Sequence, residues 1–423
     1  MEVPKKLQRY NAVLMAIEGA MFVVSTSFLD AGTVVPVFTN IKSGGNTLAG
    51  IASAFVLLAP IIGRFLMGNI IGRIDNYSRA MTLWGIFSRV MILPALLATS
   101  LHAPDMLQAI IFVLGYGMFY FGDGFVALVW TDVLARTQPV RLRMTIHSAA
   151  RVIGGIIGFF VATFVKNTLA SSLPVDTQFT IIFAGACISL GINCICLASI
   201  KDAPGRVALE KEKTPWKQYI ANFIPLYKES EEVRHTIGCK ILYMLGMMTM
   251  PLNILFCTQV GHVTTEQAAG LVYMPMIGLV AGGFVWAFIA KKFGNRVLML
   301  TSQLVNLTCA ILSILSLFLA AKGISVLIPM SIVIMLLSSN VSNNQSYDHH
   351  IISVVPDKSL AHYIVLASII SAPFTLASVL AGFLSDVFGY TLVFILFAII
   401  TVISVSVTFY RFFSKNYVEP QLH

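Results

Sequence analysis

Charge is what this chain has least of. Lys, Arg, Asp and Glu make up 11% of its 423 residues, against 57% hydrophobic ones, and the mean hydropathy is +0.83. No soluble domain of this size tolerates that composition, so the soluble classes fall away. Long polar stretches are nearly missing too: 201–235 is the one extended example. The cysteines, Cys187, Cys194, Cys196, Cys239, Cys257 and Cys309, all lie inside apolar runs, with no zinc or disulfide spacing among them. No nucleophile–base spacing, metal cluster or phosphate loop stands out, which argues against an enzyme and against a resident cofactor or metal. The start, MEVPKKLQRY, leads into a full-length apolar run without a small-residue cleavage signal, so that run is expected to remain as a helix.

What is there is a series of apolar runs. About 20 residues cross a bilayer core, and on that measure the runs form roughly twelve spans: 11–38, 47–70, 79–101, 107–134, 144–166, 178–200, 236–258, 266–290, 296–320, 324–346, 361–384 and 389–411. They are too long and too continuously apolar for barrel strands, which leaves an all-α membrane bundle. The net charge of +9 is topological and does not indicate nucleic acid. Lys5, Lys6, Arg9, Arg73, Arg79, Arg136, Arg141, Arg143, Lys291, Lys292, Arg296, Lys358, Arg411 and Lys415 fall on one side of the spans, and Lys42, Lys166 and Lys322 on the other. That asymmetry places both termini in the cytoplasm. The compact length points to a bacterial inner membrane.

Ionisable residues inside the runs are the first candidates for a functional site, because each costs about 2.5–3.5 kcal/mol at the centre of a bilayer. Asp123 lies in the middle of span four and Arg151 about two turns into span five. Arg89 lies near the middle of span three and needs a partner, with Asp123 first by depth and Glu18 next. Glu18 and Asp30 share span one but stand twelve residues apart, on different faces. For Asp30 a helix-end carboxylate in water competes with a functional role. The glycines at 154, 155 and 158 would let span five approach a neighbour closely.

The second half holds amides in place of charges. Asn253 and Gln259 lie in span seven, and SSNVSNNQS at 338–346, with Asn340, Asn343 and Asn344, ends span ten. Such a run cannot face lipid cheaply and is expected to face a cavity or another helix. Tyr116 and Tyr120 add aromatic hydroxyls to span four. Lys240, near the start of span seven, reads as a snorkelling lysine, and Asp348-His349-His350 as plain loop. Trp216, Tyr219, Ile220, Phe223 and Leu226 recur at helical spacing in 201–235, which suggests an amphipathic surface helix linking two halves.

The halves also resemble each other. Arg73-Ile-Asp-Asn76 aligns with Lys292-Phe-Gly-Asn295 at an offset of 219, as does Phe38-Thr39 with Cys257-Thr258. Asp132 and Pro139 align with Asp348 and Pro356 at offsets of 216 and 217. Such duplication is common in transporters. With the loop 68–77, its copy AFIAKKFGNR at 287–296, the segment 132–143 and GFLSDVFGY at 382–390, the chain resembles the major facilitator superfamily over nearly its whole length. Against that family's loop signature Gly68 and Arg73 match, Gly72 occupies the aspartate position and Asp75 the second glycine. In the copy Lys292, Gly294 and Arg296 match and Lys291 replaces the acid. Asp75 or Asp132 is left to supply the loop's charge latch, with Arg141 on the basic side. Gly154–Gly158 resembles the glycine-rich helix of drug–proton antiporters, and Asp30 with Pro36 that group's first-helix motif.

The resemblance implies two bundles, 1–200 and 236–423, joined by 201–235 and rocking about a central site lined by helices one, four, seven and ten. Those spans hold Glu18, Asp30, Asp123, Asn253 and the Asn340–Asn344 tract. A proton-coupled secondary transporter for a small solute follows: burial favours a neutral carboxyl and a nearby arginine an ionised one, so Asp123 beside Arg151 or Arg89 could switch protonation. A purely structural Asp–Arg pair is the competing reading. Uptake and drug or metabolite efflux both stay open, as does a non-transporting receptor or assembly factor. The expected partners are a small-molecule substrate, a proton or other coupling ion and the lipid bilayer, with the chain acting as a monomer.

Overall fold

The structure, a computed structural model, describes residues 4–70, 74, 76–201, 225, 227, 228, 230–355 and 360–413. Gly72, Arg73, Asp75, most of the 201–235 connector, Pro356, Lys358, Lys415 and the Arg141 side chain lie outside the described residues. Everything described is helix, turn or loop, with no strand.

In the first half the helices are α1 (Lys5–Phe28), α2 (Val34–Ser43), α3 (Thr47–Ile70), α4 (Tyr77–Val90), α5 (Leu93–Ser100), α6 (Asp105–Thr137), α7 (Val140–Leu169) and α8 (Val175–Ser199). Predicted span one is two helices. Asp30, Gly32 and Thr33 are weak helix formers. Ahead of them Ser25 and Ser27 donate to the carbonyls of Phe22 and Val23, and Thr26 donates to both. Pro36 is tolerated in the first turn of α2, where no intrahelical donor is lost. Predicted span three also divides, with Pro94 at the start of α5.

In the second half follow α9 (Glu231–Leu245), α10 (Leu252–Gln259), α11 (Thr265–Gly270), α12 (Tyr273–Ala321), α13 (Leu327–Asn340), α14 (Asn344–Val354), α15 (Leu360–Ser371), α16 (Ala377–Phe388) and α17 (Tyr390–Phe413). Span seven breaks over Gly246–Pro251 into α9 and α10. The 49-residue α12 contains the predicted loop between spans eight and nine, at Gly294, whose φ of 79° suits only a residue without a Cβ. Short 3-10 turns at Val341–Asn343 and Ala372–Leu376 interrupt spans ten and eleven. Among the described residues, nine helical segments are long and apolar enough to cross a membrane, the longest of them, Glu266–Ala321, including the Gly294 kink.

The chain divides into two compact units: residues 1–30 with 55–214, and 31–54 with 215–423. The boundary between 54 and 55 falls inside α3. In the first unit Met15, Met81, Phe125, Val129, Val133 and Leu197 form a core. In the second, Tyr243, Leu255, Phe256, Met299, Leu337 and Phe394 form a larger one that includes Ala49. Large apolar side chains are exposed on the outside, as at Phe160, Ile195, Phe284 and Ile328. A bilayer solvates these at no cost, so the helices do not need to bury them.

Without a strong hydrophobic drive between helices, close packing has to come from small residues. Gly63 of α3 lies against the Phe121 carbonyl and Gly124 of α6. Gly278 of α12 lies in the same way against the Met335 carbonyl and Ser339 of α13. Any Cβ at either glycine would collide with backbone. Gly154 meets α1, where an added Cβ would come within 3.0 Å of the Ala20 carbonyl.

Candidate functional site

Four helices of the first unit meet around Arg89, which is 4% exposed. From α4 its Nη1 donates to Asp123 Oδ1 on α6 at 2.9 Å and to Ser88 Oγ at 2.9 Å. Its Nε donates to Asn193 Oδ1 on α8 at 3.0 Å. Nη2 lies 3.9 Å from Glu18 Oε1 on α1. Asn193 closes the circle, donating from Nδ2 to the Glu18 carbonyl at 2.8 Å and to its Oε1 at 2.9 Å. Phe22 and Phe119 flank the guanidinium, their ring centroids 5.2 and 5.6 Å from Cζ. The face of an aromatic ring stabilises a cation that water no longer reaches.

Arg89 is thus the partner of Asp123, with Glu18 beside it. Arg151 is exposed on α7 and takes no part in this cluster. Asp30 lies just beyond α1, half-buried. The Tyr116 hydroxyl donates to the Leu29 carbonyl at 3.0 Å, and its ring meets that of Tyr120 edge-on at 5.0 Å. At the end of α6, Asp132 pairs with Arg136 one turn on, at 2.7 Å, and Arg136 covers the Tyr77 ring at 3.9 Å. Asn193 was not singled out from sequence. A single amide within GINCICLAS was the available signal.

The second unit has an amide network in a matching place. Asn340 Nδ2 donates to Asn306 Oδ1 at 2.8 Å and to the Ser302 carbonyl at 3.0 Å. Its Oδ1 accepts from Ser302 Oγ at 2.9 Å and from Asn343 Nδ2 at 2.7 Å. All its hydrogen-bonding positions are used within the protein, so in this arrangement Asn340 joins α12 to α13 and offers nothing to a ligand. Asn344 keeps a buried Oδ1 with no partner among the described residues. Asn253, on α10 just past the break in span seven, is 1% exposed, and neither its Nδ2 nor its Oδ1 has a partner among the described residues.

Two expectations need correction. Lys240 does not snorkel: it is 1% exposed, and its Nζ meets Asp348 Oδ1 at 2.7 Å. Asp348 and His350 are not in a loop. Both belong to α14, because the 3-10 turn at 341–343 lets the helix resume, and His350 Nε2 lies 2.9 Å from Glu232 Oε1. A buried ammonium needs a carboxylate, and α14 places one within reach.

The GFLSDVFGY stretch also has a structural role. Asp386, at the end of α16, accepts from the Asn46 N–H at 2.7 Å, the Thr47 N–H at 2.9 Å and Thr47 Oγ1 at 2.6 Å. It therefore caps the N-terminus of α3, where orphan donors and the helix dipole favour a carboxylate. Asn46 Nδ2 donates to Tyr390 OH at 3.1 Å, which donates to Gln259 Oε1 at 2.7 Å. Of the other predicted loop residues, Gly68 lies near the end of α3, and Lys292 lies exposed over the rings of Phe288 and Phe293 at 5.5 and 5.3 Å. Arg296 is half-buried beyond the Gly294 kink.

No family model and no curated protein sequence matches the chain. Solved structures do. A D-xylose–proton symporter aligns over 97% of this chain and 98% of its own, with a TM-score of 0.71 at 13% identity. A point mutant of the nucleoside transporter NupG aligns over 95% and 98%, with a TM-score of 0.67 at 11% identity. A bacterial homologue of the iron transporter ferroportin, in an inward-facing state, aligns over 96% and 98%, with a TM-score of 0.66 at 12% identity. With its apolar segments, this likeness makes the chain a multi-pass integral membrane protein with the major facilitator fold.

Proposed function

We propose that this protein is a secondary transporter that moves a small polar solute by alternating access, with Glu18, Arg89 and Asp123 as its proton-responsive element. The observation that carries this is a charge count. One guanidinium faces two carboxylates in a site nearly closed to water. With both acids ionised, one negative charge has no counterion, and burying it costs several kcal/mol or more. A proton shared by the two acids removes that cost. Binding or losing that proton changes what ties α1, α4, α6 and α8 together.

The halves 1–200 and 236–423 would rock about the connector, with both termini in the cytoplasm of a bacterial cell and the chain acting as a monomer. Solute would be held by polar groups whose hydrogen bonds are unmet, Asn253 and Asn344 first. An amide with nothing to bond pays its desolvation until a ligand arrives. Substrate then shifts the balance of conformations only as far as it binds them unequally. Neutral or amphoteric polar solutes suit a pair of amides. The structures similar in fold include transporters for a sugar and for nucleosides.

The test has two stages. Thermal shift of the purified protein against a panel of polar solutes identifies a ligand, because anything that binds the native state raises the melting temperature. Proteoliposomes then measure its accumulation with and without a pH gradient. Asp123→Asn is expected to leave solute stabilisation in place and abolish gradient-driven accumulation. Full accumulation in that variant would overturn the assignment, and stabilisation lost in Asn253→Ala alone would locate the solute.

A further inference from the structure

A second feature of the first unit lies away from the charged cluster. At one end of three candidate spans, where α1 and α4 begin and α8 ends, a cavity of about 630 Å³ opens among Tyr10, Asn76, Arg79, Thr82, Ser199 and Lys201. Its walls are pinned. The fully buried Asn11 donates to the Lys201 carbonyl at 2.6 Å and accepts from its N–H at 3.1 Å, and Ser78 Oγ donates to the Ile200 carbonyl. Both cations at the mouth are exposed, and neither has a carboxylate partner among the described residues. Lys201 Nζ lies 5.3 Å from the Tyr10 ring centroid.

Two apolar stripes lead away from this mouth. On α4, Arg79 heads a helical stripe of Leu83, Ile86 and Val90, which are 59%, 45% and 42% exposed. On the neighbouring α8, Ser199 heads Ile195, Ile192 and Ile188, at 68%, 41% and 67%. The spacings of three and four residues put each stripe on one helix face. The helices touch between them, with Cys194 Sγ 4.0 Å from the Gly85 carbonyl. Positive charge without a carboxylate partner among the described residues, above two apolar tracks, matches a molecule with an anionic head and two acyl tails.

We propose that this cavity binds an anionic phospholipid, with its phosphate between Arg79 and Lys201 and its acyl chains along the α4 and α8 stripes. A free phosphate offers the same head but no use for the stripes, and a zwitterionic lipid offers the tails with no net charge. Basic side chains at a membrane surface attract anionic lipid by simple electrostatics. The proposal rests on membrane insertion alone and does not depend on what the protein transports.

The test uses the full chain purified in an uncharged detergent. Dioleoylphosphatidylglycerol, dioleoylphosphatidylcholine, dioleoylglycerol and sodium phosphate are each added, with melting temperature and lipid retention in native mass spectrometry as readouts. Phosphatidylglycerol is expected to raise the melting temperature by a few degrees and to remain bound. Arg79→Gln with Lys201→Gln should weaken retention about tenfold or more, while Arg79→Lys with Lys201→Arg should keep it. Equal stabilisation by phosphatidylcholine, the same shift with sodium phosphate, or undiminished retention in the glutamine variant would each overturn the proposal. Because both side chains are exposed, the lipid-free melting temperature is expected to stay nearly unchanged.

Discussion

The two units solve the same packing problem with different chemistry. Arg89 and Asp123 are 34 residues apart and bonded at 2.9 Å; Asn306 and Asn340 are 34 residues apart and bonded at 2.8 Å. Each residue of the second pair stands 217 positions after its counterpart, an offset that Pro139 and Pro356 also share. The flanking contacts repeat too, with Gly63 against Gly124 and Gly278 against Ser339. A polar clamp between helices is therefore common to both halves, and at this pair of positions only the first half makes it charged. The amide pair holds its helices whatever the proton concentration, whereas under the proposed function the ionic pair, with Glu18 as a third member, holds them in a way that depends on it. The comparison teaches that the polar bond is the structural requirement and that the charge is an addition.

Breaking the charged clamp should have the largest effect. Arg89→Met leaves the buried Glu18 and the half-buried Asp123 without a cation, and should cost about 3–5 kcal/mol, read as a fall in melting temperature in detergent. Replacing both members with the chemistry of the second unit, Arg89→Asn together with Asp123→Asn, should cost clearly less, because Glu18 can take up a proton and no charge is orphaned. If the double variant were as unstable as Arg89→Met, the equivalence of the two clamps would fail. Asn340→Ala removes the centre of the amide network and leaves Asn306, Asn343 and Ser302 short of partners, an effect of about 1–3 kcal/mol. That loss should be the same at pH 5 and pH 8, whereas the cost of Arg89→Met should shrink at the lower pH as the acids protonate.

Much of this was legible in the chain. A buried arginine in an apolar run demands an acid, and Asp123 was the nearest by depth; the polar tract at 338–346 had to avoid lipid, although its density favours a cavity and Asn340 instead bonds only to protein; the repeat followed from loop residues on a common offset. Depth alone could not choose between Arg89 and Arg151, because both lie well inside apolar runs and only the rotation of each helix decides which points inward. The same ambiguity hid Asn193. Lys240 was misread because its acid, Asp348, is more than a hundred residues away and hidden in what looked like a loop. The breaks in spans one and seven depend on where small and polar residues could be accommodated by neighbours, and a single-chain pattern does not record that. The Asp386 cap of α3 joins segments some 340 residues apart, although its motif was visible.

The central claim is that the Glu18–Arg89–Asp123 cluster binds one exchangeable proton and the Asn306–Asn340 cluster none. Infrared difference spectroscopy of the purified protein across a pH titration reads it directly, through the carbonyl stretch of a protonated carboxyl in an apolar site. A single such band should develop as the pH is lowered, disappear in Glu18→Gln with Asp123→Asn, and survive unchanged in Asn340→Ala. No titrating band, or one indifferent to both acids, would contradict the account.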